Sequence, residues 1–351
     1  MIRRLLAAAT VLLLAAVLLV AAWPQLFDLE RQFGVAQVVS LRGLSALVAG
    51  VGVVALLLIA LVSRRARRLS ATLALLLLLF AGVSGAVLAT RGATPSGFQT
   101  KAANDLTVLS WNTLGDAPGA AEIARLAIAQ KADIVALPET SEATARAVAD
   151  TMTAAGIRMQ LLTLSYDQVA KAKTTALLIS TKLGTYRRDD TQGSTKTLPS
   201  VLAVPVDGTG PTIVAAHPVA PVEGEMSNWR AGLEWLAARC GAAASAAGGG
   251  AGTIMAGDFN STLDHYAGLT TTSAAGAARP GDLGACRDGA RARNTAAVGS
   301  WPTSLPTSLG APIDHVMASD GWAFVGFRVI GSEDGAGSDH RPVVAQLRRQ
   351  G

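Results

Sequence analysis

Cysteine is scarce in this chain. Cys240 and Cys286 are the only two in 351 residues, and they lack the CxxC or Cys/His spacing of a structural zinc site. Histidine is nearly as rare, with His217, His265, His315 and His340 making up the full set, so soft-metal ligation is not apparent. Aromatic residues make up 5%, which leaves few side chains for stacking nucleic-acid bases. Lysine is missing from the first hundred residues, where nine Arg face only Asp28 and Glu30.

The net charge of +5 therefore divides unevenly. Residues 1–100 carry +7, whereas residues 101–351, with 21 basic and 23 acidic side chains, carry −2. A basic chain invites a nucleic-acid reading. The split weakens it, because the positive excess lies where the apolar runs are.

Half of the residues are hydrophobic, and they are concentrated. Residues 5–22, 43–62 and 69–90 are three apolar stretches, each close to the ~20 residues that a helix needs to cross a bilayer core. Nothing comparable follows Thr90. Arg3 and Arg4 precede the first stretch, and Arg64, Arg65, Arg67 and Arg68 fill the short loop between the second and third. Basic loops stay cytoplasmic. The expected protein is a multi-pass membrane protein with its N-terminus inside and everything after the third span outside. Residues 1–22 also read as a cleavable signal peptide, with VAA at 20–22 as the small-residue site. That alternative leaves two spans and the same final location. An extracytoplasmic setting permits a Cys240–Cys286 disulfide, against two isolated buried thiols.

Residues 91–104 (RGATPSGFQTKAAN) read as a linker, and 105–351 as one large domain. Strand-like runs occupy 106–111, 133–139, 175–180, 201–206, 212–217, 253–258, 314–319, 324–330 and 342–347. Several are apolar almost throughout, as expected of strands buried on both faces. Helical stretches lie at 119–130, 141–155 and 227–246. Residues 266–312, rich in small residues and without periodicity, read as a long loop or insert of low order.

Polar residues gather at the strand ends. LSWNT ends in Asn112 and ALPET in Glu139, AAHPVAP supplies His217, and AGDFN supplies Asp258 and Asn260. PIDHV adds Asp314 and His315, and GSDHRPV adds Asp339 and His340. Taken singly, each fits a loop cap. Half a dozen in one domain call for another explanation. Carboxylates and amides are hard oxygen ligands suited to Mg2+ or Mn2+. Such an ion neutralises a phosphate and its leaving oxygen, while a carboxylate orients water and a histidine holds or protonates a phosphate oxygen.

The order N…E…H…GDFN…DH…SDH resembles the endonuclease/exonuclease/phosphatase superfamily, with the deoxyribonuclease I-like fold, across residues 105–351. HPVAP followed by Trp229 and the WP…PIDHV…GSDHRPV run is similar to bacterial membrane-anchored members. The resemblance implies an α+β, four-layer α/β/β/α sandwich, with the site at one edge of two face-to-face sheets. It implies Glu139 as the principal Mg2+ (or Mn2+) ligand, Asn112 beside it, and Asp339 as a further metal-side carboxylate. Asp258 would orient or activate the water and Asn260 would hold a phosphate oxygen. His340 would contact the scissile phosphate with Asp314 fixing its ring, and His217 would bind phosphate or act as an acid. Pro138 departs from the pattern, since many members carry Gln there. His315 reads as a supporting residue and His265 as an ordinary loop residue.

The reaction this implies is metal-dependent hydrolysis of a phosphodiester or phosphomonoester by direct attack of water. Fold and motif do not name the substrate. Membrane anchoring favours a phospholipid head group or small extracytoplasmic phosphodiester. The alternatives are a nuclease acting on DNA or RNA, for which the near-neutral outer domain offers only the clusters Arg187–Arg188 and Arg287, Arg291, Arg293, and a non-catalytic phosphate-ligand module.

Overall fold

The computed structural model describes residues 1–94, 97–240, 251–271, 279 and 281–350. Three long helices come first: α1 (Ile2–Ala22), α3 (Arg42–Val62) and α4 (Arg67–Arg91), with the short α2 (Val35–Ser40) between α1 and α3. At about 1.5 Å per residue each long helix reaches roughly 30 Å or more, and all three are long and apolar enough to cross a membrane. Their surfaces remain apolar and exposed, with Leu12, Leu13, Val48, Val51, Leu61, Leu78 and Leu79 facing outward. Helix α4 packs against both α3 and α1. Gly52 on α3 lets the Leu77 side chain of α4 come so close that a Cβ would sit 2.9 Å from it.

The remainder folds into two six-stranded sheets. The first contains β1 (Leu106–Ser110), β2 (Ile134–Pro138), β3 (Met159–Ser165), β4 (Thr174–Ser180), β11 (Trp322–Val329) and β12 (Val343–Arg349), in the order β11-β12-β1-β2-β4-β3. The second contains β5 (Tyr186–Arg188), β6 (Val201–Pro205), β7 (Thr212–Ala216), β8 (Thr253–Asp258), β9 (Arg287–Asp288) and β10 (Asp314–Ala318), in the order β5-β6-β7-β8-β10-β9. Each sheet has one parallel pair at its centre, β1 with β2 and β7 with β8, and its other pairs are antiparallel.

Period-two alternation explains the layers. Val108, Ile134, Ala136, Leu177 and Ile179 point between the sheets, against the apolar residues of β6, β7, β8 and β10. Their neighbours Leu109, Val135, Leu137, Ala176 and Leu178 point the other way, under α5 (Gly119–Ala129) and α6 (Glu142–Ala154). On the far side, α7 (Met226–Arg239) covers the second sheet with Trp229, Leu233 and Leu236. The result is the expected α/β/β/α sandwich behind an apolar helical region.

Topology then decides where polar strand ends fall. In a parallel pair both C-terminal ends lie on one edge, and an antiparallel neighbour starts there. Ser110, at the end of β1, pairs with Val343, at the start of β12. Asp258, at the end of β8, pairs directly with Asp314, at the start of β10. Gly257 makes this edge possible: a Cβ there would meet the Ala216 carbonyl oxygen at 2.0 Å. It serves the close approach of two strands rather than a turn.

Three strands escape the sequence pattern: β3, β5 and β9. The helix expected at 227–246 ends at Arg239, and 241–246 lie outside the described residues. The segment 266–312 is better packed than its composition suggests. Among its described residues Tyr266, Leu283, Cys286, Asp288, Thr295 and Ser300 are buried, and α8 (Gly289–Ala292) lies within it. Cys240 and Cys286 form a disulfide with Cα atoms 5.6 Å apart, which anchors the segment to the end of α7.

The sandwich is also fastened to the helical region. Asp264, buried just beyond the GDFN stretch, accepts from Arg42 Nη2 at 2.7 Å and Nε at 3.0 Å, and lies 2.8 Å from Arg91 Nη2. His265 bonds the Ala36 carbonyl of α2 at 3.2 Å, and Arg31 donates to the His265 carbonyl at 2.8 Å.

Candidate active site

Eight of the polar residues at strand ends meet at one edge, linked by contacts of 4 Å or less. Asn112 is the hub. It follows β1 and donates through Nδ2 to Glu139 Oε1 and to Asp258 Oδ2, both at 3.0 Å, so it joins the two sheets. Its Oδ1 accepts the Leu114 N–H at 3.0 Å, which fixes the amide's orientation. Glu139 sits just past β2 with φ +56°, a left-handed conformation that aims its side chain inward. Thr113 donates to the Glu139 carbonyl at 2.8 Å and supports that bend.

Asp258 is buried at the centre. Its Oδ1 accepts the Asn260 N–H at 2.8 Å, and its Oδ2 accepts Asn260 Nδ2 at 3.1 Å in addition to Asn112. Asn260 is likewise left-handed, at φ +46°, and also donates to the Pro218 carbonyl at 3.0 Å. Both of its amide protons are therefore engaged, and in this arrangement it positions Asp258. Burial pushes the Asp258 carboxyl up to about 6, against the pull of His340 and with a further push from Asp314.

His340 precedes β12. Its Nδ1 bonds Asp314 Oδ2 at 2.9 Å, while Nε2 lies 3.7 Å from Asp258 Oδ2 and 3.9 Å from Asp339 Oδ1. Burial alone would lower the imidazole, but Asp314, Asp258 and Asp339 outweigh it and raise the ring to about 10. His217 follows β7, with Nδ1 3.2 Å from Thr175 Oγ1 and Nε2 3.8 Å from Glu139 Oε1. Burial would raise the Glu139 carboxyl, yet His217 and Asn112 hold it below its ordinary value.

The other two histidines face elsewhere. His315 is locked between Asp288 Oδ2 at 2.8 Å and the Ser261 carbonyl at 2.9 Å, a bracing position behind the cluster. His265 is not an ordinary loop residue: it is fully buried against α2.

Several supporting residues lie within or beside these motifs without being site candidates themselves. Trp111 Nε1 donates to the His340 carbonyl at 2.9 Å, Trp229 Nε1 to the Asn260 carbonyl at 3.0 Å, and Trp301 Nε1 to Asp339 Oδ2 at 2.9 Å. Each indole holds one loop of the cluster. Ser338 donates to the Asn112 carbonyl at 2.6 Å and accepts the His340 N–H at 3.0 Å. Arg341, buried and paired with Asp334, donates to the carbonyls of Gly299, Pro302, Thr303 and Leu305 and secures the loop that carries Trp301. WP and GSDHR mark these places in the sequence, but only the tertiary pairing gives them meaning.

Glu139, Asp258, Asp314 and Asp339 bring four carboxylates together with two imidazoles. Asp314 Oδ1 and Asp339 Oδ1 are shielded from solvent without a hydrogen-bond partner among the described residues. Asp258, Asp314 and His340 offer ligand atoms within 4.8 Å of one another, close enough for one ion to bridge. A dense, oxygen-rich, partly unsatisfied set of this kind fits a hard divalent cation.

The family model for the endonuclease/exonuclease/phosphatase family matches residues 109–340, well over half of the chain. The chain belongs to that family. Members of the family are hydrolases acting on phosphoester bonds, typically with divalent metals. Among solved structures, D. rerio TDP2 humanized by 14 mutations is 14% identical, covers 70% of this chain and 100% of its own, and superposes with a TM-score of 0.51. That likeness shows the fold. An endonuclease/exonuclease/phosphatase from Bacteroides vulgatus (14% identity, 70% and 99% covered, TM-score 0.49) and one from Beutenbergia cavernae (20%, 71% and 72%, TM-score 0.48) are further matches. No curated protein matches.

Proposed function

We propose that this family member is a membrane-anchored, Mg2+- or Mn2+-dependent phosphoesterase whose attacking water is oriented by Asp258. One observation carries the reading: Asn112, Glu139, His217, Asp258, Asn260, Asp314, Asp339 and His340 converge from both sheets on a single edge.

The residues divide the work by protonation. His340, held charged by Asp314, presents Nε2–H toward the position of a phosphate oxygen. His217, braced by Thr175, has a shielded Nε2 without a hydrogen-bond partner among the described residues, a second donor for the phosphate. Asp258 is held by Asn112 and Asn260 in one orientation and takes up a water proton. A bound Mg2+ or Mn2+ supplies charge neutralisation at the phosphate and the leaving oxygen. Two donor sets compete for it. In the trio, His340 is protonated and committed to Asp314, so Glu139 and Asp339 would hold the ion, with Asp339 Oδ1 free of a hydrogen-bond partner among the described residues and Asn112 alongside.

The substrate is a phosphoester reached from the membrane surface, a phospholipid head group or a small phosphodiester. Support comes from the exposed apolar faces of α1, α3 and α4 and from the clamp at Asp264. The basic clusters that a nuclease would need are partly spent, with Arg188 paired to Asp190 and Arg287 to Asp320.

The test is hydrolysis of bis(p-nitrophenyl) phosphate by the full chain in detergent. Activity should require Mg2+ or Mn2+, vanish with EDTA, and fall at least a hundredfold in Asp258→Asn. Activity indifferent to EDTA sinks the proposal. Parallel assays with vesicles and with single-stranded DNA separate the lipid reading from the nuclease reading.

A further inference from the structure

A cavity of about 750 Å³ lies where the helical region meets the sandwich. None of the eight clustered polar residues lines it. Three cations do, Arg42, Arg91 and Arg291, against one acid, Asp264. Asp264 is already shared, since Arg42 and Arg91 both reach its Oδ1, at 2.7 and 2.8 Å. Arg291 is the third: its charge reaches Asp282, but its Nη1 is shielded from solvent and has no hydrogen-bond partner among the described residues. Asp282, next in the chain to the lining residue Gly281, accepts the Arg279 N–H at 3.2 Å and does not line the cavity.

The opposite wall is apolar. Val87 and Val83 extend it down α4, one and two turns below Arg91, so the wall descends about 12 Å from the cationic rim at 1.5 Å per residue. The end of α1 closes the other side with Ala22 and Trp23, the latter a residue type favoured at the membrane–water boundary. Excess positive charge above and an aliphatic slot below match an amphiphile with an anionic head. A free anion would leave the slot unfilled, and a zwitterionic head would bring its own cation into an arginine cluster.

We propose that this cavity binds the head group and upper chain of an anionic phospholipid, at a site separate from the catalytic cluster. The proposal rests on reading α1, α3 and α4 as membrane-spanning. At its arginine end the cavity is lined by Leu263 and Asp264, which continue the strand-end segment of Asp258 and Asn260. Occupancy therefore braces the catalytic loop from the membrane side.

The experiment uses the full chain in a neutral maltoside detergent, with retained lipid counted by native mass spectrometry. The probes are phosphatidylglycerol, phosphatidylcholine and inorganic phosphate. Phosphatidylglycerol should be retained at one copy and should raise the thermal midpoint, whereas phosphatidylcholine and phosphate should do neither. Arg291→Gln should weaken retention about fivefold, the effect of one arginine near a lipid surface. Val87→Trp, which fills the slot and leaves the charges alone, should weaken it independently. Equal retention of the two lipids overturns the anionic preference, and equal binding of phosphate overturns the lipid class. Retention unchanged in both variants overturns the location. Alkaline carbonate washing of membranes separates the underlying reading: release of the chain would refute the membrane spans, whereas a retained chain that binds no phosphatidylglycerol refutes the site alone.

Discussion

His340 and Asp314 form a buried pair, Nδ1 to Oδ2 at 2.9 Å, across the seam between the two sheets. Asp314 comes from the start of β10 and His340 from the loop before β12, so the bond both orients the ring and joins the layers. Asp314→Asn keeps the shape but removes the charge that holds the ring protonated. Activity should fall about 10²–10⁴-fold in kcat, the range for losing a positioned proton donor, with KM changing little. Steady-state kinetics on bis(p-nitrophenyl) phosphate checks this, and a loss confined to KM would contradict the assigned role.

Trp229 offers a test of positioning. It is fully buried on α7, and its indole N–H reaches the Asn260 carbonyl at 3.0 Å. Trp229→Phe retains most of the packing and deletes that bond. Stability should drop by about 1 kcal/mol, while kcat falls roughly tenfold as Asn260 and Asp258 lose their alignment. Thermal melts and kinetics together separate these effects. A variant that is less stable but fully active would show that the indole only supports the fold.

Gly257→Ala probes the edge itself. The added methyl would sit 2.0 Å from the Ala216 carbonyl oxygen and 2.7 Å from its nitrogen, so β7 and β8 would have to part. The expected cost exceeds about 4 kcal/mol, in the range of severe core disruptions. The chain should then be recovered in aggregates or with a strongly lowered melting point.

These contacts show what the sequence makes legible. The nine apolar strands appear with ends within two residues of the observed ones, because runs such as TIMAGD are buried on both faces and carry a continuous signal. Strand β3 was hidden because it lies at a sheet edge with every residue half-buried. Strands β5 and β9 are three and two residues long and exist only through their neighbours. In the cluster, carboxylates and histidines at strand ends are visible as types in order. Their supports are not: Thr175 meets His217 across 42 positions and Ser338 meets Asn112 across 226. The same holds for Asp264, which reads as a loop acid until Arg42 and Arg91 close around it.

His265 provides the last test, one of pH. The ring is neutral in the fold: Nδ1 accepts the Thr262 N–H at 2.8 Å, and Nε2 reaches the Ala36 carbonyl. Burial lowers it to about 4; Asp264 opposes that, and Arg91 and Arg31 reinforce it. In the unfolded chain the ring titrates near 6.5. Between about 6.5 and 4 the unfolded state therefore binds the extra proton, so stability is intact above 6.5 and is lost as pH falls through this window. The full loss is between about 3 and 4 kcal/mol, from roughly 1.4 kcal/mol per unit. Asp264 adds nothing in that window, because Arg91 and Arg42 overcome its burial and hold it below the ordinary carboxylate range. His265→Gln preserves an acceptor and a donor but does not titrate. Melting points of the full chain in detergent from pH 7.5 to 4.5 should fall less steeply for this variant than for the parent, and parallel curves would show that the ring is not the source.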